Sequence, residues 1–311
     1  MKKNSSYMQF DLLKIKNAYK EDKNITSLLR KQKKIDFNTS EIIEVAYDLQ
    51  AGSYIDFVQQ NPEKSALYAS ELSAILDIYI DSNDSLLDIG TGELTTLSLI
   101  MTKLNILPRK VFAFDISWSR LHKGVEYSKN MLGNDFDRII PFSSKISEIA
   151  MLDKSIDVTT SSHALEPNGG NLKNLLKELF RITKKKLILF EPCYEANSDE
   201  GKKRMDSLGY IKNLENEARD LGGEVLERIE IKNTENPLNP TYCFIINLPE
   251  TDISQTLDPI EIFSEPGTNN ALQKLDNFYF SNKTGLSYPI IESIPILKSD
   301  NAILTSALCK D

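Results

Sequence analysis

The chain of 311 residues predicts an α/β protein built on a mostly parallel sheet with helices on both faces. Two observations carry that expectation. Between residues 85 and 191, short apolar runs alternate with segments of helical spacing, the pattern of strand-helix-strand units. Later, "EVLERIEIKN" and "TYCFIINL" read as strands joined by the short Asn/Pro-rich "TENPLNP", which favours an antiparallel pair at the end of the sheet.

Residues 8–80 have helical spacing and no clear strand. In "NTSEIIEVAYDLQ", Thr39 or Ser40 can cap an apolar-periodic run, and Pro62 sits just inside the start of another helix. The basic run "RKQKK" at 30–34 could touch phosphate, but it reads first as a solvated helix face. Strands follow at 85–89, 111–115, 157–162 and 186–191, with helices near 93–104, 118–132 and 171–183. The last helix places Leu172, Leu175, Leu176, Leu179 and Phe180 on one apolar stripe. Another helix spans about 199–221 and ends at "LGG". Beyond "LPETDISQTLDP" the apolar pieces are short, and helix is expected only in the last ten residues. The expected organisation is a helical lead-in over 1–80, an α/β domain over 81–250 and a small module over 251–311.

A net charge of -8 and a pI of about 5.1 disfavour a nucleic-acid partner. No run approaches the roughly 20 apolar residues of a membrane span, and the N-terminus lacks the apolar centre of a secretory signal. The reading is cytoplasmic, with no membrane contact and with a homodimer left open. Cys193, Cys243 and Cys309 are odd in number and widely spaced, so they read as reduced thiols, and no metal site is expected.

The run "SLLDIGTGELT" ends a strand in two glycines and opens into a helix, a place suited to a nucleoside-like ligand. The dinucleotide fingerprint wants a third glycine where Thr95 stands. Glu93 would repel a pyrophosphate, so the turn favours a ligand that is not a phosphate. Asp88 could order the loop amides or meet a cationic ligand. Asp115, at the end of "VFAFDIS", could accept both hydroxyls of a ribose or cap the next helix.

Together, "LLDIGTGELTTLSLI", "VFAFDIS" and "SIDVTTSSHALEPNGGNLKNLLKELFRITKKKLILFEP" resemble a class I S-adenosylmethionine-dependent methyltransferase over about residues 40–250. The resemblance implies a Rossmann-like methyltransferase sheet, mostly parallel with an antiparallel last strand, under an N-terminal helical lid. It implies S-adenosylmethionine as cofactor and S-adenosylhomocysteine as product. By it, Asp88, Gly90 and Gly92 line the methionine end, Asp115 binds the ribose and Ile116 lies against adenine. Ser162, in the small-residue pair, joins the cofactor side. The family often carries an acid before the next strand, and this chain has "PFSSKISEIAMLDKSIDV" instead. Ser144, Ser147 or a backbone carbonyl would then receive the adenine amino group.

Methyl transfer is an in-line displacement, so the protein mainly aligns an acceptor and excludes water. The candidates lie beyond the carboxyl ends of the strands. His163 can act as a general base near neutral pH or pack beside the cofactor. Glu166 can accept a hydrogen bond from substrate or cap the following helix. Glu191 and Tyr194 lie on the same rim as candidate acceptor contacts, and Cys193 reads as buried and inert. Tyr47 and Tyr54 would share one helix face if the helix survives Gly52, and the resemblance makes that helix a lid over the site.

"FYFSNKTGLSYPIIESIPILKSDNAIL" resembles the tail of the small zinc-ribbon activators of methyltransferases. Ser281 and Thr284 stand where that family has cysteines, and a hydroxyl cannot replace thiolate at structural zinc. A metal-free packing module is the expectation. The function expected is methylation of oxygen or nitrogen on a small molecule or glycan sugar. A methyltransferase acting on tRNA or a translation protein, and a non-catalytic cofactor-binding scaffold, are the alternatives.

Overall fold

The computed structural model describes residues 10–234, 236–249 and 262–309, so the domain boundary expected at 250/251 lies outside the described residues. Five helices open the chain: α1 (Leu12–Lys20), α2 (Ile25–Lys33), α3 (Ser40–Asp48), α4 (Ser53–Gln60) and α5 (Pro62–Tyr79). Side chains cap the first three, with Asp11, Asn24 and Thr39 accepting from the N–H groups of Lys14, Ser27 and Ile42. Helices α1–α3 bury Ile15, Leu29, Ile42 and Ala46 in a small core of their own. The helix does not survive Gly52, whose φ of 106° separates α3 from α4. Pro62 opens α5, which buries Ala69, Leu72 and Leu76 with the sheet.

The main sheet contains β1 (Ser85–Ile89), β2 (Lys110–Asp115), β3 (Ile139–Ser143), β4 (Ile156–Ser162), β5 (Thr183–Pro192), β6 (Glu224–Glu230) and β7 (Thr241–Asn247). Their order is β3-β2-β1-β4-β5-β7-β6. Strands β1 to β5 run parallel, and β7 lies antiparallel to both β5 and β6. Every residue of β1 is buried, as a central parallel strand requires. Alternate residues feed opposite faces. Leu86, Val111 and Val158 pack toward α5 and α6 (Thr95–Met101), while Leu87, Phe112 and Leu187 pack toward α8 (Leu172–Ile182). Helix α7 (Trp118–Leu132) follows β2.

Strand β3 was not among the strands read from the sequence, because its run "IIPFS" is short and carries a proline. The helix expected over 199–221 is two, α9 (Asp199–Leu208) and α10 (Leu214–Asp220), broken where Gly209 turns left-handed. The C-terminal end holds strand β12 (Ile303–Leu304) and a short 3-10 turn in place of the helix expected there.

A second sheet follows, with β8 (Gln273–Lys274), β9 (Phe278–Phe280), β10 (Leu286–Ile291) and β11 (Ile294–Pro295) in the order β11-β10-β9-β8, and β12 paired to β10. Its placement answers a gap. No helix lies between β3 and β4, and Phe263, Tyr279 and Tyr288 of the C-terminal module cover the sheet face there. The Phe263 ring meets Phe112 edge-on at 6.1 Å and Phe142 at 5.0 Å. The module therefore completes the core on that face.

Within it, Thr284 donates to Glu265 at 2.6 Å, and the Asn270 amide donates to the other carboxylate oxygen at 3.0 Å. Burial works to raise the Glu265 carboxyl, but hydrogen bonds from Ser281, Thr284 and Asn270 outweigh it and hold it below the usual range. Glu265→Ala would leave the buried Ser281 hydroxyl without this acceptor and release Thr284 and Asn270 to solvent, at a cost of about 1–3 kcal/mol. Urea unfolding should show the loss as a lower midpoint.

Candidate functional site

Strand order reverses at β1, which has β2 on one side and β4 on the other. The loops leaving β1 and β4 therefore diverge over a crevice, the position where open α/β sheets bind ligands. The end of β1 carries Asp88 and its loop carries Gly90 and Gly92, while the β4 loop carries His163 and Glu166. Gly90 and Gly92 have φ of 61° and 57°. A Cβ on Gly90 would meet the Ala164 Cβ at 2.5 Å, and one on Gly92 would meet the Arg120 guanidinium at 2.4 Å.

Two amides of the glycine turn are taken within the protein. Thr91 N–H donates to Phe114 O at 2.9 Å, and Gly92 N–H donates to Asp115 Oδ2 at 3.0 Å. Asp115 Oδ1 accepts from Ser117 N–H, and Ser117 is the residue that caps α7. Each Asp115 oxygen keeps a second lone pair for a ligand. Glu93 also turns inward. It is buried, accepts from Ile55 N–H at 2.9 Å and pairs with Arg120 at 3.6 Å, so it ties α4 to the β1 loop and does not screen the ligand.

Two cavities meet here. The larger, about 510 Å³, is lined by Asp88, Gly90, Gly92, Ser162, His163 and Glu166, with Tyr47 and Tyr54 from the helical lead-in. The smaller, about 80 Å³, is lined by Asp115, Ile116, Ser144 and Ser147. Tyr47, Gly90, Arg120 and His163 border both. Arg120 was not found from the sequence, where it sits in an ordinary helical run. It lies 4.0 Å from Asp115, with the Tyr47 and Tyr54 rings 5.4 and 4.7 Å from its guanidinium. The two tyrosines thus converge although their helix is broken.

His163 stands at φ 58° with its Nδ1 2.7 Å from Glu166 Oε2 and its Nε2 2.8 Å from Thr241 Oγ1. A carboxylate only accepts, so Nδ1 carries a proton and Nε2 faces the threonine hydroxyl. Burial disfavours the charged ring, yet Glu166 and Glu191 outweigh it and raise the His163 pKa above its ordinary value. Glu166 does not cap α8, which begins at Leu172. Ser162 Oγ lies 2.9 Å from Tyr68 Oη on the cavity wall.

Two expected substrate contacts lie elsewhere. Glu191 is fully buried and lines neither cavity. Its carboxylate accepts from Ala164, Leu165 and Glu166 N–H at 3.0, 3.0 and 3.2 Å and from Ser161 Oγ at 2.7 Å, so it shapes the loop that carries the histidine. Tyr194 lies at the surface, donating to Asp206 at 3.3 Å with Lys212 over its ring. Cys193 is buried, and burial raises its thiol pKa. Ser144 is buried and its N–H donates to Asp115 O at 3.2 Å.

No family model matches the chain, and no curated protein matches it in sequence. Among solved structures, it is similar to a chain of the complex between the Haloferax volcanii Trm112 methyltransferase activator and a methyltransferase. That match has a TM-score of 0.51 and 17% identity, over 66% of this chain and 98% of that one. The chain has the Rossmann-like methyltransferase fold. A SAM dependent methyltransferase from Aquifex aeolicus is also similar, at TM-score 0.46 and 16% identity, over 62% of this chain and 98% of that one. Among the described residues, no helix is long and apolar enough to cross a membrane.

Burial pushes the Asp88 carboxyl up to about 7, with Asp115 adding to the rise, and burial pushes Glu191 up to about 7 against His163 and its hydrogen-bond donors. Both folded values exceed the unfolded ones, and His163 is raised too. The folded chain therefore holds more protons than the unfolded one near neutrality. Stability from these groups is complete below the unfolded carboxyl range and falls as pH rises through about 7. Denaturant midpoints measured from pH 5 to 8 should decline, and Asp88→Asn should flatten the decline.

Proposed function

We propose that the chain is an S-adenosylmethionine-dependent methyltransferase acting on oxygen or nitrogen of a small molecule or sugar. One observation carries this reading. The cavity that begins at the Asp88–Gly92 loop ends at an oriented His163–Glu166 pair. The residues fit that cofactor, because each Asp115 oxygen keeps a lone pair for a ribose hydroxyl and Gly90 borders both cavities. When bound, S-adenosylmethionine supplies an electrophilic methyl group. Asp88, Gly90 and Gly92 would hold its amino-acid end, Asp115 its ribose, and Ile116 and Ser144 its base.

The chain's own residues then do three things. Tyr47 and Tyr54, held by Arg120, close one wall of the cavity and limit water. Glu166 holds the His163 tautomer that leaves Nε2 as an acceptor. His163 Nε2, directly or through the Thr241 hydroxyl, takes a proton from an acceptor that arrives protonated.

Calorimetry with S-adenosylhomocysteine tests the cofactor. Binding is expected, and Asp115→Ala should weaken it about tenfold to a hundredfold, the value of a charge-assisted hydrogen-bond pair. Absence of any binding would end this reading. For turnover, His163→Gln should lower kcat by about 10²–10⁴. The wild-type rate should rise with pH through the His163 pKa, above 6.5, and the variant should lose that limb.

A further inference from the structure

Arg120 reaches from α7 to the glycine turn and borders both cavities. Its side chain keeps only 8% of its surface exposed, yet the guanidinium makes no hydrogen bond to any described residue. Nε stands 3.6 Å from Glu93 Oε1 and Nη1 stands 4.0 Å from Asp115 Oδ2, both longer than a hydrogen bond. Nε is enclosed without a partner, so the fork of Nη1 and Nη2 is what remains for a ligand. Nη2 lies against Gly92, where a Cβ would meet it at 2.4 Å. The Tyr47 and Tyr54 rings beside it favour a cation without taking up its N–H groups in strong hydrogen bonds. A guanidinium always carries its charge and only donates, and burying it unsatisfied is costly.

The charges around it select the ligand. Lys64 is the other cation bordering the large cavity, an exposed residue of α5, and Lys145, bordering the smaller one, is held by Asp300 and Glu148. Glu166 is engaged by His163 and Asn239. Near the turn, Asp88, Glu93 and Asp115 together oppose a plain anion. Glu93 and Asp115 take backbone amides, whereas Asp88 takes none from a described residue and borders the cavity at the start of the turn. An acid at one end of the turn and a guanidinium at the other fit a zwitterion, with an ammonium beside its carboxylate. Arg120 also supports the opposite wall. Helix α4 has no side-chain cap of its own, and the Glu93 that faces Arg120 accepts the Ile55 N–H in its first turn at 2.9 Å.

We propose that Arg120 takes the α-carboxylate of the methyl donor, with Asp88 on the side of its α-ammonium, and that this contact sets the tyrosine wall against which the acceptor binds. Carboxylate and guanidinium meet as a charge-assisted pair. An occupied Arg120 then keeps Glu93, the start of α4 and the Tyr47 and Tyr54 rings in one arrangement, so the donor binds before the acceptor wall is complete. This assignment rests on the methyl-transfer reading of the same cavity.

The test uses the full chain and requires no acceptor. Calorimetry compares S-adenosylhomocysteine with its decarboxylated analogue, its deaminated analogue and 5′-methylthioadenosine, which lacks the amino-acid end. Removing the carboxylate should weaken wild-type binding about tenfold to a hundredfold. Arg120→Gln should weaken S-adenosylhomocysteine by a similar factor and bind the decarboxylated analogue and 5′-methylthioadenosine as the wild type does. Arg120→Lys, which keeps a charge for Glu93 and Asp115 if the glutamine variant fails to fold, should recover part of the affinity for S-adenosylhomocysteine. In hydrogen exchange, S-adenosylhomocysteine should protect the Ile55 amide and 5′-methylthioadenosine should not. Equal wild-type affinity for S-adenosylhomocysteine and its decarboxylated analogue, an unchanged ratio between them in Arg120→Gln, or tighter binding of the deaminated anion overturns the carboxylate assignment. Equal protection of Ile55 by both ligands overturns the link to the tyrosine wall. Failure of both S-adenosylhomocysteine and 5′-methylthioadenosine to bind the wild type overturns the parent reading instead.

Discussion

The reversal of strand order at β1 is the constraint on which the mouth of this sheet depends. With β2 on one side and β4 on the other, the chain leaving β1 and the chain leaving β4 turn toward opposite faces. Neither loop can pack over the other, so a crevice is left between them. The Ile89–Ser161 register brings the glycine turn level with the start of the His163 loop. The close approach of Gly90 to Ala164 follows from that register, and it leaves no room for a side chain at position 90.

Each loop is then stiffened by a buried carboxylate from a neighbouring strand. Asp115 of β2 takes the Gly92 amide, and Glu191 of β5 takes three successive amides from Ala164 to Glu166. Three donors on one carboxylate fix the turn that holds His163 in a left-handed conformation, which is uncommon for residues other than glycine. The catalytic geometry proposed here thus depends on contacts behind the histidine loop, made by a Glu191 carboxylate that lines neither cavity.

This arrangement explains which parts were legible in advance. Strands β1 and β2, the glycine turn and the stripe on α8 are local patterns, and local patterns can be read from spacing. His163 and Glu166 were found because they follow a strand and lie three residues apart. Glu191 was placed on the right strand end but given an outward role, since nothing local says that its carboxylate turns back to the β4 loop. Arg120 was invisible for a related reason. Its importance comes from what lies opposite it in space, the carboxylates of Glu93 and Asp115. Glu93 was read as repelling a pyrophosphate, but it is buried and claimed by Ile55 and Arg120.

The C-terminal module enters the site by the same logic of buried charge. Lys298 is almost wholly buried, and its ammonium donates to Glu44 of α3 at 2.6 Å and to Ile116 O at 3.1 Å. Leu297 N–H beside it donates to Ser143 O at the end of β3. A single lysine thereby joins the helical lead-in, the end of β2 and the second sheet around the smaller cavity. Burying that cation is tolerable only while both acceptors stay in place. The three parts are consequently coupled: any displacement of α3 strips Lys298 of its carboxylate, and any displacement of the module leaves Ile116 O with the Ser143 hydroxyl alone. The stretch between β3 and β4 holds no helix, and the C-terminal unit fills the core there with Phe263 and Tyr288 while it also holds the rim of the smaller cavity.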